Sequence, residues 1–113
     1  MSEEALTEVV GLLEDDVART ILAATSVQAM SASELAERCD VSEPTIYRRL
    51  EQLRAADLVA EGTELDPGGD HYRVYRARFQ RLLVELQRGD YEVELTLMED
   101  PADRFTRLFE ELG

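Results

Sequence analysis

The sequence predicts a mainly α-helical fold with β-hairpins, in the α+β class. Up to Arg54, apolar residues recur at helical spacing, in segments that begin with good helix N-cap residues. From Leu58 the spacing changes to the alternation of a strand, and the segment 66–70 is rich in turn residues. A second alternating segment and a last helical segment follow. The chain has 113 residues, which is enough for one domain with its own core.

Two helices are predicted at the start of the chain. The first runs from Ser2 to Leu13, with apolar residues at helical spacing along one side. The pair Asp15-Asp16 then begins a second helix, because carboxylates stabilise the positive end of the helix dipole. The segment from Thr25 to Ala29 is predicted to be a loop.

A further helix, from Ser42 to Arg54, is the element around which the rest of the chain is organised. Ser42 is a good N-cap, and Pro44 is tolerated in the first turn, where its missing N–H costs little. On a helical wheel one narrow apolar stripe forms the buried face, made by Ile46, Leu50 and Leu53.

The opposite face of this helix carries groups that suit DNA. Hydrogen-bond donors, an aromatic ring and guanidinium groups contact base edges and phosphates in a major groove. Pro44, Thr45, Arg48 and Gln52 lie opposite the stripe, and Tyr47 and Arg49 lie on its two flanks. The candidate DNA-contacting residues are these six and Ser42. The alternative is an ordinary amphipathic helix with a solvated polar face.

A shorter helix is predicted just before it. Ser31 and Glu34 form a capping box, and the helix ends near Cys39. Asp40-Val41-Ser42 is short enough to be a tight turn, in which Asp40 takes the position where many such turns have Gly. Two capped helices joined in this way predict a helix-turn-helix at about residues 31–55.

A hairpin directly after this motif is predicted to be a wing, at about residues 58–78. Its strands are Leu58 to Glu64 and His71 to Arg78. Arg73 and Arg76 are predicted to contact phosphates beside or within the minor groove. The alternative is that these two arginines only balance nearby acidic groups.

A second hairpin is predicted after the wing. Apolar and polar residues alternate from Val84 to Gln87 and again from Tyr91 to Leu97, with a turn at 88–90. The segment from Phe79 to Leu83 fits either a helix or a strand.

The last segment, Asp100 to Gly113, is predicted to be a helix with Pro101 at its first position. Its apolar stripe must cover something, either the core of its own chain or a second subunit, and we favour a dimer. The predicted dimer contacts are Leu6, Val9, Val10, Phe105, Leu108, Phe109 and Leu112.

The charge is unusual for a DNA-binding chain. The net charge is −13, the chain contains no lysine, and all 12 basic residues are arginine. Residues 41–81 hold seven acidic and seven basic residues, so the arginines concentrate in the predicted recognition helix and wing. An acidic surface without lysine resembles proteins of halophilic archaea. In molar salt the Debye length is about 3 Å, so distant acidic groups repel DNA little.

Other classes of function find little support in the sequence. Cys39 is the one cysteine and is expected to be a small core residue, and His71 has no metal-ligand spacing around it. We find no nucleophile–base pair or Gly-rich phosphate loop, so we expect no enzyme, no cofactor and no metal. Apolar runs are too short for a membrane span and the first residues lack signal-peptide character, so we expect a cytoplasmic protein.

The motifs together resemble a known family. Four segments occur in a fixed order before the wing: Val17 to Leu22, Glu34-Leu35-Ala36, Thr45 to Leu50 and Asp57-Leu58-Val59. In this order they resemble the ArsR-like winged helix-turn-helix regulators, in a form like those of halophilic archaea. The resemblance covers about residues 6–78. It implies a winged-helix fold, a homodimer, sequence-specific binding to double-stranded DNA and regulation of transcription. Metal sensing is not implied, because metal-sensing members carry a paired-cysteine motif where this chain has Cys39 alone.

The domain organisation follows. Residues 1–78 are predicted to be the winged helix-turn-helix DNA-binding domain, and residues 79–113 a dimerisation extension of the same domain. The competing hypothesis is a winged helix that binds another protein and not DNA, which the negative charge and the apolar last segment would fit.

Overall fold

The computed structural model describes residues 1–99, which form four α-helices followed by two antiparallel β-hairpins. This is a winged helix-turn-helix, as the sequence predicts. In chain order the elements are α1 Glu3–Glu14, α2 Asp16–Val27, α3 Ala32–Cys39, α4 Glu43–Ala55, β1 Val59–Leu65, β2 His71–Ala77, β3 Phe79–Gln87 and β4 Asp90–Leu97. The predicted helix from Asp100 to Gly113 lies outside the described residues.

Side-chain caps determine where the helices begin. The Ser2 hydroxyl accepts a hydrogen bond from the Ala5 N–H and starts α1. Both halves of the capping box of α3 are formed, since the Ser31 hydroxyl accepts from the Glu34 N–H and the Glu34 carboxylate accepts from the Ser31 N–H. Asp40 ends α3 in the left-handed conformation, with φ at 54°. The turn of the helix-turn-helix is therefore made as the sequence predicts.

The end of α2 differs from the prediction. The helix continues to Val27, whereas a loop was expected from Thr25. The Thr25 side chain is fully buried and its hydroxyl donates to the Ile21 carbonyl oxygen over 2.7 Å. Threonine is a weak helix former because it is β-branched, but burial in the core outweighs this preference, and the bond gives the buried hydroxyl a partner.

One hydrophobic core joins the four helices to the base of the wing. Its fully buried large side chains come from α2, α3, α4 and the start of the wing: Ile21, Leu35, Ile46, Leu50, Leu53 and Leu58. The α4 stripe is thus the buried face that the sequence predicts. Val9 of α1 is also in this core, at 2% exposure. Burial of this set is the main stabilising term of the fold.

The wing is attached to the segment that precedes the helix-turn-helix. Met30 and Tyr75 exchange two backbone hydrogen bonds, of 3.1 and 2.8 Å, which form an isolated antiparallel bridge. β1 and β2 pair in register from Val59 opposite Ala77 to Leu65 opposite His71. Because Tyr75 is itself buried, the base of the wing is fixed to the helical core.

The second hairpin begins as soon as the wing ends. Phe79 to Leu83, which fitted either a helix or a strand, belongs to β3. β3 and β4 pair antiparallel around a turn in which Arg88 and Gly89 both have positive φ. At the base of this hairpin the Arg78 guanidinium donates to the Met98 carbonyl oxygen over 3.1 Å, which ties the end of β4 to the end of the wing.

Asp15 joins two helices that are distant in the sequence. Its carboxylate accepts from the Ala18 N–H over 2.8 Å, which caps α2, and from the Arg49 guanidinium of α4 over 3.0 Å. The backbone hydrogen bond from Ala18, followed by the bond from Arg49, lowers the pKa of Asp15 below 3.8. One carboxylate therefore both starts α2 and holds one flank of α4.

We expect Asp15→Ala to lower the free energy of unfolding by about 1–2 kcal/mol, because α2 loses its cap and Arg49 loses its partner. The ionised Asp15 makes its full contribution to the free energy of unfolding above pH 3.8. This contribution is lost as the pH falls through the lower pKa that Asp15 has in the folded state. The difference from the parent should therefore shrink in acid. Urea unfolding from pH 7 down to pH 3 measures it.

Asp16→Ala is the matched control, since Asp16 is the neighbouring carboxylate and pairs with Arg19 at the surface. Its loss of stability should be smaller, as for an exposed ion pair. Equal losses in the two variants would contradict the role given to Asp15.

Candidate nucleic-acid interface

The exposed face of α4 contains most of the residues that the sequence singled out. Pro44, Tyr47, Arg48 and Gln52 are exposed, and Thr45 is half-buried. The buried stripe on the opposite side of α4 packs into the core, so this face points to solvent. The prediction of which face is outward is confirmed by this burial.

The first turns of α4 carry a short chain of polar contacts. The Ser42 and Thr45 hydroxyl oxygens lie 3.0 Å apart, and the Ser42 hydroxyl accepts from the Thr45 N–H. Arg48 donates from its Nη2 to the Thr45 hydroxyl over 3.4 Å. These three side chains therefore lie along one edge of the exposed face, beside the N-terminus of the helix. Helix N-termini and guanidinium groups both attract phosphate oxygens.

Arg49 lies on the flank of α4 that faces α1 and α2, not on its outer face. It is half-buried, and its Nε atom donates to Asp15. Gln52 lines the same side, in a groove of about 360 Å³ between α1 and α4 that also contains Thr7, Glu8 and Gly11. The structure thus gives Arg49, predicted as a DNA contact, an internal partner.

On the other flank of α4, one carboxylate joins the helix to the wing. Glu61 of β1 accepts from Arg54 of α4 over 2.6 Å and from Arg73 of β2 over 3.2 Å. The Glu61 side chain is 21% exposed, against 53% for Arg54 and 72% for Arg73. Arg73 thus pairs with a nearby acidic group in this structure. Both arginine side chains nevertheless stay more than half exposed.

Arg54 and Glu61 were missed by the sequence reasoning, although a signal was available. Arg54 comes seven residues after Tyr47, two helical turns along the same flank of α4. Glu61 and Arg73 lie on one face of the wing, because Glu61 is opposite Tyr75 and Thr63 is opposite Arg73. The contact between Arg54 on the flank of α4 and Glu61 on the wing follows only once the packing of the wing against α4 is known.

Arg73 and Arg76 lie on opposite faces of the wing. They are three residues apart on one strand, and side chains alternate between faces at every residue. Arg73 therefore shares a face with Glu61, whereas Arg76 shares one with Tyr72, whose hydroxyl donates to Glu64. The sequence reasoning treated the two arginines as one pair, and the strand geometry separates them.

The charge of the exposed surface is mixed. Of the three arginines of α4, Arg49 and Arg54 are paired with carboxylates, whereas Arg48 is bonded to a hydroxyl. Glu51 is also exposed, one turn after Arg48, and the sequence reasoning passed over it. A glutamate at such a position can accept from the amino group of cytosine. Arg48 and Glu51 together make a face with both a donor group and an acceptor group.

Tyr75 lies behind this surface. Its ring is buried at the base of the wing, and burial, followed by the charge of Glu61 and the nearby Tyr47, raises the pKa of Tyr75. The phenol therefore stays neutral and serves as a packing residue between wing and core. Cys39, expected in the core, is half-buried at its edge, and burial raises the pKa of this thiol.

The predicted dimer contacts on α1 differ in exposure. Val10 is 45% exposed, whereas Val9 is 2% exposed. Leu6 is half-buried. Val9 therefore packs inside its own chain, because its direction on the helix points to the core. The other predicted contacts, Phe105, Leu108, Phe109 and Leu112, lie outside the described residues.

Two other kinds of site are absent from residues 1–99. No helix in this range is long and apolar enough to cross a bilayer. In the same part of the chain, no three His, Cys, Asp or Glu side chains converge as the ligands of a metal ion would.

Comparison with known proteins agrees with this geometry. The profile of the helix-turn-helix domain family matches residues 5–61, which include all of α1 but its first two residues, α2, α3, α4 and the start of the wing. No curated protein sequence matches the chain. The matched range covers more than half of the 113 residues and contains the capped pair α3–α4. The chain therefore belongs to the helix-turn-helix domain family.

Proposed function

We propose that this protein is a sequence-specific DNA-binding regulator of transcription that acts as a homodimer. The observation that carries the proposal is the outer face of α4, where Ser42, Thr45 and Arg48 line one edge beside the helix N-terminus. In a helix-turn-helix, the N-terminal part of the second helix is the part that reaches base edges in the major groove.

The residues of this surface take different roles in the proposal. Arg48 reads a base, because it faces solvent and can donate two parallel hydrogen bonds, most favourably to guanine. Ser42 and Thr45 contact bases or phosphates at the start of the helix, and Tyr47 contacts the backbone. Arg49 is given a positioning role, since its bond to Asp15 holds the flank of α4.

The wing adds a second set of backbone contacts. Arg54 and Arg73 are drawn together by Glu61, so both guanidinium groups lie between α4 and the wing. Their exposed donors are available to phosphates on one side of the groove. Arg76, on the opposite face of the wing, would reach DNA only if that face also turns toward it.

The acidic composition is compatible with DNA binding at high salt. A net charge of −13 repels phosphates over long distances in dilute buffer. At about 1 M salt the Debye length falls to about 3 Å, so contacts at hydrogen-bond distance persist while distant repulsion does not. We therefore propose that the protein works in concentrated salt, as its lysine-free composition suggests.

The homodimer completes the proposal. One helix-turn-helix reads one half-site, and a two-fold dimer reads two half-sites about one helical turn apart. Leu6 and Val10 on α1 offer an apolar surface for such an isologous contact, since Val10 is 45% exposed.

Selection from a random duplex library in molar KCl tests the function. The expected result is enrichment of a palindromic sequence that the protein binds more tightly than shuffled DNA of equal length. Failure to enrich any sequence, from folded protein, would reject DNA recognition and favour a winged helix that binds another protein.

Arg48→Ala should weaken binding to the selected sequence by about 1–3 kcal/mol, because a base contact is lost. The free energy of unfolding should not change, because Arg48 is exposed. Arg81→Ala removes the same charge from β3, away from α4, and is the control. A titration followed by fluorescence anisotropy measures both variants. An equal effect of the two would show that only net charge matters.

Glu61→Gln should tighten binding to non-specific DNA, because its carboxylate no longer competes with phosphates for Arg54 and Arg73. With two more phosphate contacts, the slope of log K against log salt should steepen by about 1–2. Glu64→Gln removes the same charge from the other face of the same strand and is the control. Identical slopes for Glu61→Gln and the parent would mean that these arginines do not contact DNA.

Val10→Asp should raise the dimer dissociation constant at least about tenfold, because a carboxylate would have to be desolvated in the interface. Val27→Asp makes the same change at an exposed valine of α2 and is the control. Sedimentation equilibrium measures both. A dimer that survives Val10→Asp unchanged would exclude α1 as the interface.

A further inference from the structure

Glu51 lies near the centre of the outer face of α4. At about 100° per residue, Arg48 and Glu51 both lie within about 50° of the direction opposite the buried stripe. Thr45 and Tyr47 lie further round the helix, about 70–90° from that direction. Arg48 and Glu51 are both exposed. A carboxylate therefore shares the most outward part of α4 with the guanidinium group of Arg48.

The Glu51 carboxylate has no ionic partner, although two arginines lie one turn away on the same helix. Arg48 and Arg54 are each three residues from Glu51, a spacing at which ion pairs form on helices. Arg48 instead donates to the Thr45 hydroxyl, and Arg54 pairs with Glu61 over 2.6 Å. The ion pairs found within residues 1–99 all leave Glu51 out. Its carboxylate can therefore accept hydrogen bonds from a ligand of this face.

A carboxylate at this place is selective about what it can meet in a major groove. When ionised it only accepts hydrogen bonds, and phosphates at the rims of the groove repel it. The base edges on the floor of the groove offer two kinds of donor, the amino groups of cytosine and adenine. Adenine carries the acceptor N7 beside its amino group, whereas cytosine presents its amino group without an acceptor of its own. Cytosine is therefore the base that suits Glu51.

The spacing of Arg48 and Glu51 suits two base pairs that lie close together. Three residues advance an α-helix by about 4.5 Å, and stacked base pairs are about 3.4 Å apart. With α4 along the groove, the two side chains reach base pairs that are neighbours or have one pair between them. Arg48 is a donor suited to the O6 and N7 atoms of guanine. The outer face thus combines one group for guanine with one for cytosine.

We propose that Glu51 is a specificity-determining residue that selects a cytosine, close to the guanine that Arg48 selects. The carboxylate accepts a hydrogen bond from the N4 amino group of that cytosine. Guanine or thymine at the same position presents acceptors only, so the desolvated carboxylate would lack a donor. The inference rests on the proposed function, because it names the bases that the same surface reads.

Selection from a random duplex library in molar KCl tests the inference with the parent and two variants. The parent should enrich half-sites with two G·C pairs that are neighbours or have one pair between them. Glu51→Ala should reduce the preference for the cytosine at least about fivefold and leave the preference for guanine unchanged. Glu51→Gln should move the preference toward adenine, because an amide both donates and accepts. Glu37→Ala removes an exposed carboxylate from α3 and should keep the preference of the parent.

A second measurement probes the amino group of the cytosine on the selected sequence. N4-methylcytosine still pairs with guanine, but its methyl group replaces the amino hydrogen that faces the major groove. At the selected cytosine it should weaken binding by the parent at least about fivefold, and binding by Glu51→Ala much less. The same modified base at a cytosine outside the half-site is the control and should change neither. Titration followed by fluorescence anisotropy measures the four affinities.

The outcomes separate this inference from the proposed function. If the parent enriches a sequence and Glu51→Ala keeps the same preference for cytosine, the carboxylate only repels phosphates and the inference is overturned, while the proposed function stands. An enriched half-site with no cytosine within two base pairs of the guanine overturns the inference in the same way. If the folded parent enriches no sequence at all, the proposed function fails and this inference fails with it.

Discussion

Burial of the apolar stripe of α4 is the constraint on which the rest of this structure depends. Ile46, Leu50 and Leu53 are almost inaccessible to solvent, and they pack against α2, α3 and the start of the wing. Once this stripe is inside, the outer face of α4 is determined by helix geometry alone. Two carboxylates then hold the flanks of the helix, Asp15 on one side and Glu61 on the other.

The flanking ion pairs divide the arginines of α4 by role. Arg49 is bonded inward and Arg54 toward the wing, which leaves Arg48 on the outer face beside Thr45. The partly buried pair Asp15–Arg49 helps to hold α4 in its position, whereas an exposed ion pair adds little to the stability of the fold. In a chain of net charge −13 such pairing also neutralises the carboxylates of Asp15 and Glu61. The proposed DNA contacts are thus few and direct, which suits a high-salt environment.

Local sequence was enough to predict the order and the ends of most elements. N-caps at Ser2, Ser31 and Ser42 and the turn residue Asp40 act within a few residues of themselves, so their effects can be read from short segments. The alternation in β4 predicts a strand for the same reason. The end of α2 was placed too early, because burial of Thr25 depends on neighbours that are far away in the chain.

The sequence by itself therefore determined the fold class, the helix-turn-helix and the outward face of α4. Tertiary structure alone decided which group each arginine meets, since Asp15 and Arg49 are 34 residues apart and Glu61 meets Arg54 only when the wing packs on α4. It also turned Val9 inward. Caps and periodicities are properties of neighbouring residues, whereas ion pairs and exposed faces depend on how separate elements come together in space.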